Sequence, residues 1–405
     1  MVKGIIHRLL LRRHFWRHAS FSEIAELYAS RSMRLFALRM MTTFTSIYLL
    51  QEGYSLLFIC LFWAFFYGFK VLIAWPAAQL VARFGPKHMT LYSNLLAAVS
   101  MAILPQISGD NGFQFLVIWA ILQGASGTLY VISYNVDFSK VKSVEHAGKE
   151  LAYMNIIEKI SNGAAPIIGG LLATLINPEI VMYISAILFV VAAAPLFKTA
   201  EPVMLNQKLL IRGFPWHTTW RSIMANGAIG IDIFISTSAW TFFLAIVVFA
   251  GSGAAIYAQV GAATSVTIVA ALASSYVFGK IIDNRHGKSL LRFGVLLNSS
   301  IHLLRVFITT PVGVVMANLL NEIATTGYNM AFTRGQYDTA DNTGRRIVYL
   351  CFCEIASCLG AMLSSLFIAL LLLQFNEKAS LQLFFVAASI LTLCIMAPRF
   401  ALYKK

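Results

Sequence analysis

The chain has 405 residues, of which 59% are hydrophobic and 12% charged, and its formal net charge is +14. This composition excludes an ordinary soluble domain, in which roughly 45–50% of residues are apolar and about 25% charged, and it indicates a membrane protein. The positive charge does not indicate a nucleic-acid partner, because the basic residues do not form one patch on a soluble face.

The N-terminal segment, residues 1–32, is rich in basic residues. Its stretch HRLLLRRHFWRH interrupts a short apolar run with charge, and no small-residue cleavage site follows, so the pattern does not predict a cleavable signal. We expect a cytoplasmic, basic amphipathic helix that lies on the anionic inner surface of a membrane.

Twelve apolar segments of about 20 residues follow, and this is the length that crosses a bilayer. These segments, called spans 1–12, lie at 33–55, 56–81, 89–108, 112–134, 150–175, 179–197, 222–249, 254–279, 289–309, 312–333, 346–373 and 380–398. If the N-terminus is cytoplasmic, most of the 31 Lys and Arg residues fall on that side, and only Lys378 falls on the other. This asymmetry predicts a multi-pass protein of the cell membrane with both termini in the cytoplasm.

The chain also contains an internal repeat. YNVDFSK (134–140) is followed by GKELAYMNIIE (148–158), and YNMAFTR (328–334) is followed by GRRIVYLCFCE (344–354). Both copies read Tyr-Asn-x-x-Phe-Ser/Thr-Lys/Arg, then Gly-Lys/Arg-x-x-x-Tyr-x-x-x-x-Glu. The repeat predicts two equivalent six-helix bundles, at 33–197 and 221–405, joined by a cytoplasmic linker at 198–220.

The loops after spans 2 and 8 form a second repeated pair, AQLVARFGPK (78–87) and GKIIDNRHGK (279–288). They resemble the Gly-x-x-x-Asp-Arg-x-Gly-Arg-Lys loop motif of the major facilitator superfamily. The first loop has Ala78 and Ala82 where the motif has Gly and Asp. The residues that match are Arg83, Gly85 and Lys87 in the first loop, and Gly279, Asp283, Gly287 and Lys288 in the second.

This resemblance implies an all-α membrane protein with twelve transmembrane helices in two pseudo-symmetric six-helix bundles. It also implies transport by alternating access, with the matching loops acting as gates. An Asp at a helix end can accept hydrogen bonds from a facing helix N-terminus or pair with an Arg. We therefore expect Asp283 to latch the second half onto the region around Lys149, whereas a simple role in positive-inside anchoring remains the alternative.

Spans 4 and 5 carry two further resemblances to the family. SNGAAPIIGG (161–170) is similar to the Gly-Pro-x-x-Gly-Gly signature of the family's exporters, and it keeps Pro166, Gly169 and Gly170. Because Pro removes a backbone hydrogen bond and Gly permits close packing, this stretch predicts a helix bend. In span 4, WAILQGASG (119–127) resembles the family's Arg-x-x-Gln-Gly motif at Gln123 and Gly124. Ala120 replaces the arginine, which the family ties to proton coupling, so another group must carry any coupling.

Ionisable side chains inside a membrane are costly and mark functional sites. The candidates for the cavity and for coupling are Arg34, Arg39, Lys70, Glu158, Asp232, Glu322 and Glu354, with Lys159 and Arg305 as further interior charges. In the family, all of these except Arg305 lie on helices that line the central cavity or the interface between the halves.

Two pairs of candidates are related by the repeat. Glu158 and Glu354 occupy equivalent positions and have either a gating or proton-carrying role or a structural one, in which each pairs with basic loop residues of its own half. Arg34 and Asp232 are equivalent and could meet across the cavity, unless Arg34 extends to the lipid headgroups. His302 lies on a span that faces lipid in the family, and we expect it to be a packed histidine.

The resemblance implies a secondary active transporter of a small solute, with proton-coupled export as the first hypothesis. The alternatives are a proton-coupled uptake symporter and a transport-inactive relative that acts as a sensor or assembly partner. We expect no enzyme activity, cofactor or metal, because no H-E-x-x-H motif and no soluble domain occur in the sequence. The expected partners are the solute, protons and the bilayer, and the expected oligomeric state is a monomer.

Overall fold

The computed structural model describes residues 21–108, 112–141, 147–197, 206–283 and 286–403. Within these ranges the chain forms twelve long helical segments and no β-strand. Their bounds are Phe21–Thr42 (α1), Leu56–Phe84 (α2), Pro86–Ile107 (α3), Gly112–Ser139 (α4), Ala147–Leu175 (α5), Pro178–Leu196 (α6), Trp216–Val248 (α7), Ala255–Ile282 (α8), Gly287–Phe307 (α9), Pro311–Asn342 (α10), Arg346–Leu372 (α11) and Glu377–Met396 (α12). The helices follow the order of spans 1–12.

The helix ends follow from local sequence. Asn177 and Asn376 cap α6 and α12, each accepting a hydrogen bond at 2.9 Å from a backbone N–H three residues later. Gly85, which separates α2 from α3, has a φ of +88°, a conformation that glycine adopts without steric cost. The chain therefore reverses direction between consecutive spans within a few residues.

The largest difference from the predicted spans is at α1, which begins at Phe21 instead of residue 33. Ser30 and Arg34 are both buried, with at most 2% of each residue exposed, so these two residues of the helix lie inside the bundle. Hydropathy misses such a helix because its polar side chains contact other helices and not water. The sequence predicts an amphipathic segment at residues 1–32, and residues 1–20 of this segment lie outside the described residues.

Nine of the helices in the described ranges are long and apolar enough to cross a membrane. The other three, α1, α5 and α10, have the necessary length but fall outside that set. They carry interior charges, including Arg39 on α1, Glu158 on α5 and Glu322 on α10. Interior charges therefore lie on all three of these helices.

The helices pack in two bundles with the same arrangement. In the first half, α1 packs on α5 and α6, α3 packs on α4 and α6, and α2 packs on α4. In the second half, α7 packs on α11 and α12, α9 packs on α10 and α12, and α8 packs on α10. This repetition confirms the predicted all-α fold of two pseudo-symmetric bundles.

The interface between the halves consists mainly of α2 against α11 and α5 against α8. A Cβ atom on Gly170 of α5 would overlap the carbonyl oxygen of Tyr257 on α8, and one on Gly261 of α8 would overlap that of Pro166. Gly169 is equally close to the backbone of Met40 on α1. The exporter-like residues Pro166, Gly169 and Gly170 thus lie where α5 touches both α1 and α8.

Contacts between the halves occur at both ends of the bundle. We call the end with the α2–α3, α4–α5, α8–α9 and α10–α11 loops the even-loop end, and the opposite end the odd-loop end. At the odd-loop end, the Tyr257 hydroxyl donates to Gln51 Oε1 at 2.6 Å. At the even-loop end, the Tyr337 hydroxyl donates to Asn135 Oδ1 at 2.8 Å. Side-chain hydrogen bonds therefore join the halves at each end.

The linker also joins the halves at the even-loop end. The Gln207 backbone N–H donates to the Ala82 carbonyl at 3.0 Å, which attaches the linker to the end of α2. Arg345, between α10 and α11, donates to the carbonyl of Leu210 at 2.5 Å and to that of Arg212. The linker is thus fixed to one half at residue 207 and to the other at residue 210.

Candidate functional site

Interior charges from five helices of both halves lie close to one another. We call them the central cluster, and its members are Arg31, Arg39, Lys70, Glu158, Lys159, Glu322 and Glu354. The helices are α1, α2 and α5 of the first half and α10 and α11 of the second. Six of the seven side chains form ion pairs, and each pair joins two different helices.

The first pair crosses the interface between α2 and α11. Lys70 Nζ lies 3.0 Å from Glu354 Oε1, and only 13% and 10% of the two side chains are exposed. Cys358, one turn later on α11, donates from Sγ to the same oxygen at 3.3 Å. On α4, a Cβ atom at Gly127 would lie 3.7 Å from Lys70 Cε, so this glycine leaves room for the lysine stem. The sequence identified both charges but not that they are partners.

The second pair crosses from α5 to α10. Lys159 forms an ion pair with Glu322, and both side chains are mostly buried. The Thr326 hydroxyl donates to Glu322 Oε1 at 3.0 Å. Because α5 belongs to the first half and α10 to the second, this is the second interior ion pair that joins the two halves.

The third pair lies within the first half, between α1 and α5. Arg31 binds Glu158, and its guanidinium carbon lies 3.5 Å from the ring centroid of Tyr134 on α4. Arg31 is not among the interior charges predicted from the sequence, because residues 1–32 are predicted to form the N-terminal segment outside the spans. The partners of Glu158 and Glu354 are therefore side chains within helices. They are not basic loop residues, as a purely structural role for the two glutamates would have required.

Arg39 is the remaining member of the central cluster. Its side chain makes no hydrogen bond or ion pair with the residues that the structure describes, although Tyr67, Glu158 and Glu322 are within electrostatic range. The cluster holds four cations and three carboxylates, and each carboxylate already has a cation. One positive charge is therefore in excess, and it belongs to Arg39.

Arg34 and Asp232 do not meet in this structure. Arg34 is 2% exposed and lies inside the first half, where it donates to Asn94 Oδ1 at 2.5 Å and to Ser126 Oγ at 3.0 Å. Its guanidinium carbon also lies 3.9 Å from the ring centroid of Tyr130. Arg34 therefore does not extend to lipid headgroups, because polar side chains of α3 and α4 solvate it.

Asp232 is equally buried inside the second half. Its Oδ1 lies 2.6 Å from His302 Nε2 and accepts a 2.6 Å hydrogen bond from Asn298 Nδ2, while its Oδ2 accepts one from the Tyr328 hydroxyl. His302 Nδ1 lies 3.1 Å from Arg305 Nη1. Although the family places span 9 against lipid, His302 is fully buried and contacts a carboxylate.

Of the neighbours of His302, Arg305 at Nδ1 and Asp232 at Nε2 indicate its tautomer, and Asn298 Nδ2 also lies 3.1 Å from Nε2. An arginine nitrogen only donates, so Nδ1 must accept from Arg305, and the ring proton must lie on Nε2. That proton then points at Asp232. His302 is therefore a neutral bridge between Arg305 and Asp232, which matches the expected packed histidine and gives it no role as a proton carrier in this state.

The loop-motif residues lie at the even-loop end. Gly279 is buried on α8, and a Cβ atom on Gly287 would overlap the ring of Tyr403. Lys87 is 6% exposed, whereas Lys288 is exposed. The Arg83 carbonyl accepts a hydrogen bond from the linker at 3.2 Å. The side chains of Asp283 and Lys149 lie outside the described residues, so the predicted latch stays a prediction.

Ala120 on α4 occupies the position of the family's arginine. It is fully buried within an apolar cluster that also contains Phe66 and Trp119. Gln123, which the sequence aligned with the same motif, accepts a 2.7 Å hydrogen bond from the Ser100 hydroxyl. A charged side chain at residue 120 would therefore be buried among apolar side chains. The interior charges of this chain are instead those of the central cluster.

Comparison with known proteins agrees with this geometry. No curated protein matches the sequence. Among solved structures, the crystal structure of the nucleoside transporter NupG matches with a TM-score of 0.62 and 14% sequence identity, covering 92% of this chain and 98% of that one. At this identity the match shows the fold alone. The family model of the Major Facilitator Superfamily matches residues 27–347, and with the two six-helix bundles this shows that the chain belongs to that superfamily.

Proposed function

We propose that the protein is a secondary active transporter that moves a small solute across the cell membrane by alternating access, coupled to protons. Membership of the family supports transport. The observation that carries the proposal is that two interior ion pairs, Lys70–Glu354 and Lys159–Glu322, join the two halves. Any rocking of one half against the other acts directly on these pairs.

The chemistry of these pairs supplies a coupling mechanism. When the halves separate, each glutamate loses its lysine in an apolar environment, where an unpaired carboxylate is unstable. Proton binding removes that charge and permits the separation. When the halves return, the lysine displaces the proton. The two glutamates would therefore bind and release one proton each in every cycle.

Export is the first hypothesis for the direction of transport, because Pro166, Gly169 and Gly170 match the exporter signature at the α5 contacts with α1 and α8. The same ion pairs would equally serve an uptake symporter, which is the alternative. A transport-inactive relative is the third hypothesis, favoured by Ala82 and Ala120 at motif positions. In all three cases we place the even-loop end and both termini in the cytoplasm, and we propose a monomer.

Transport by purified protein in lipid vesicles tests the proposal. Vesicles loaded with a mixed solute panel are given a pH gradient of either sign, and solute movement is followed by mass spectrometry. We expect movement that reverses with the gradient, and we expect Glu322→Gln and Glu354→Gln to abolish this dependence. Glu377→Gln, at an exposed site at the odd-loop end, serves as the matched control and should behave as wild type.

Three results separate the hypotheses. Solute movement in the direction opposite to proton flow identifies antiport, and solute movement in the same direction as proton flow identifies symport. Movement that ignores the gradient disproves proton coupling. If the protein moves none of the solutes under either gradient, the transport proposal fails and the inactive relative is favoured.

A further inference from the structure

Arg39 differs from every other interior cation of the described chain because its side chain makes neither an ion pair nor a hydrogen bond, and the two glutamates within electrostatic range, Glu158 and Glu322, are already paired. Arg31, Lys70 and Lys159 each have a glutamate, and Arg305 reaches Asp232 through His302. Arg34 has no carboxylate partner, but hydrogen bonds to Asn94, Ser93 and Ser126 solvate it. An interior guanidinium without such partners is destabilising, so its presence calls for an anion that the described chain does not supply.

A second unpaired group lies on α5, the helix that packs on α1. The side-chain oxygen of Asn162 on α5 is buried and has no hydrogen-bond partner. Asn162 follows Glu158 by four residues and Lys159 by three, so the three side chains share one face of the helix. That face is directed at the central cluster, because Glu158 and Lys159 both bind there. The unpaired oxygen is an acceptor and requires a donor.

The packing of α1 on α5 brings the two groups to the same region. The hydroxyls of Ser32 and Ser161 are 2.6 Å apart, and Gly169 contacts the backbone of Met40 further along, so the helices run side by side in the same direction. Side chains on a helix point back toward its N-terminus. The Arg39 side chain therefore extends toward the level of Asn162.

From these two groups we infer the class of solute, on the basis of the transport function proposed above. The solute is a small organic monoanion, a monocarboxylate whose remainder is uncharged and carries a hydroxyl or N–H donor. Its carboxylate binds Arg39 through paired N–H···O bonds, and its donor binds the Asn162 oxygen. A single negative charge matches the single excess positive charge, so the loaded site is neutral.

Ligand-induced stabilisation of the purified protein tests this assignment. The panel consists of hydroxylated or N-acylated monocarboxylates of three to ten carbons, each paired with its neutral amide, and melting temperature is followed against concentration. We expect at least one carboxylate to raise the melting temperature while its amide does not. This comparison uses the wild-type protein and depends on no variant.

Two variants then locate the effect. In Arg39→Gln the half-saturating concentration of the stabilising carboxylate should rise about tenfold to hundredfold, the usual effect of losing a charge-assisted contact. Arg292→Gln, an exposed arginine on α9, should leave it unchanged. The assignment is overturned if no carboxylate stabilises the protein, if the amides act equally well, or if Arg39→Gln binds as wild type does.

Vesicle transport of the same panel separates this inference from the proposed function. If the protein moves the neutral amides and not the carboxylates, it is a transporter and the assignment of a monoanion is wrong. If it moves no member of the panel and none stabilises it, the assignment of a monoanion fails, and the mixed solute panel under a pH gradient decides separately whether the transport proposal fails.

Discussion

The Lys70–Glu354 pair permits a quantitative test of how the two halves are held together. Replacing either residue alone by Met leaves the partner charge buried on the α2–α11 interface, whereas replacing both removes the charges and keeps the apolar stems. Met is suitable at residue 70 because the lysine stem packs beside Gly127 and Gly124. The two single variants and the double variant form a double-mutant cycle.

The geometry sets the expected magnitude. At 3.0 Å the attraction between Lys70 and Glu354 is about 5–6 kcal/mol with an effective dielectric constant of about 20. Since at most 13% of either side chain is exposed, solvent screens this attraction little. Each single variant should lose about 3–5 kcal/mol, and the double variant should lose far less, because apolar replacement of a buried pair is often close to neutral.

The assay is equilibrium unfolding in mixed micelles, with melting temperature as a second measurement. A coupling energy of at least about 3 kcal/mol is expected between Lys70 and Glu354. The Arg346–Asp341 pair near the α10–α11 loop serves as the control, because its side chains are 25% and 37% exposed. For that pair a cycle should give about 0–1 kcal/mol.

Additive single variants at residues 70 and 354 would refute this reasoning. A coupling energy within about 0.5 kcal/mol of zero would mean that the two charges do not depend on one another in the folded protein. The Lys70–Glu354 pair would then neither stabilise the interface between the halves nor support the proposed proton coupling.

Three further predictions concern packing and the ends of the bundle. Gly230→Ala should lower the melting temperature by several degrees, because the added Cβ atom would overlap a backbone oxygen of α11. Gly127→Ala is the control and should change the melting temperature little, because the nearest neighbour of its Cβ atom would lie at 3.7 Å. Gln51→Ala removes the two hydrogen bonds that join Gln51 to Gly253 and Tyr257 of the second half. A thiol reagent should therefore label a Tyr48→Cys variant several-fold faster in that background, and equal labelling would contradict this. Ala120→Arg restores the family's motif residue at a fully buried site, so size-exclusion chromatography should show aggregated protein, and a monodisperse product would refute the packing explanation.

Much of the fold could be predicted from the sequence, because hydropathy and internal repeats are local properties of the chain. They identified twelve spans and two halves, and the structure differs mainly at α1. There, the buried Ser30 and Arg34 belong to a helix that hydropathy alone starts too late. A charged residue inside a bundle and one in a loop look alike in a sequence.

The partners within the site could not be predicted, because they depend on contacts between helices that are distant in sequence. Lys70 and Glu354 are separated by most of the chain, and nothing near either residue indicates the other. The repeat singles out Glu158, yet its partner Arg31 lies in the stretch predicted as the N-terminal segment. His302 could be recognised as packed, but not as a neighbour of Asp232.

The linker places a limit on how far the even-loop end can open. The Ala82 carbonyl of α2 binds the Gln207 N–H and Arg345 binds the Leu210 carbonyl, so the two halves are joined through residues 207–210, four residues that span at most about 13–14 Å when extended, plus the two hydrogen bonds of 3.0 and 2.5 Å. While both contacts hold, these points on the two halves cannot move further apart than that. If the proposed alternating access opens this end, we expect two stages: a first movement until residues 207–210 are fully extended, and a wider one that begins when Arg345 releases the linker carbonyls.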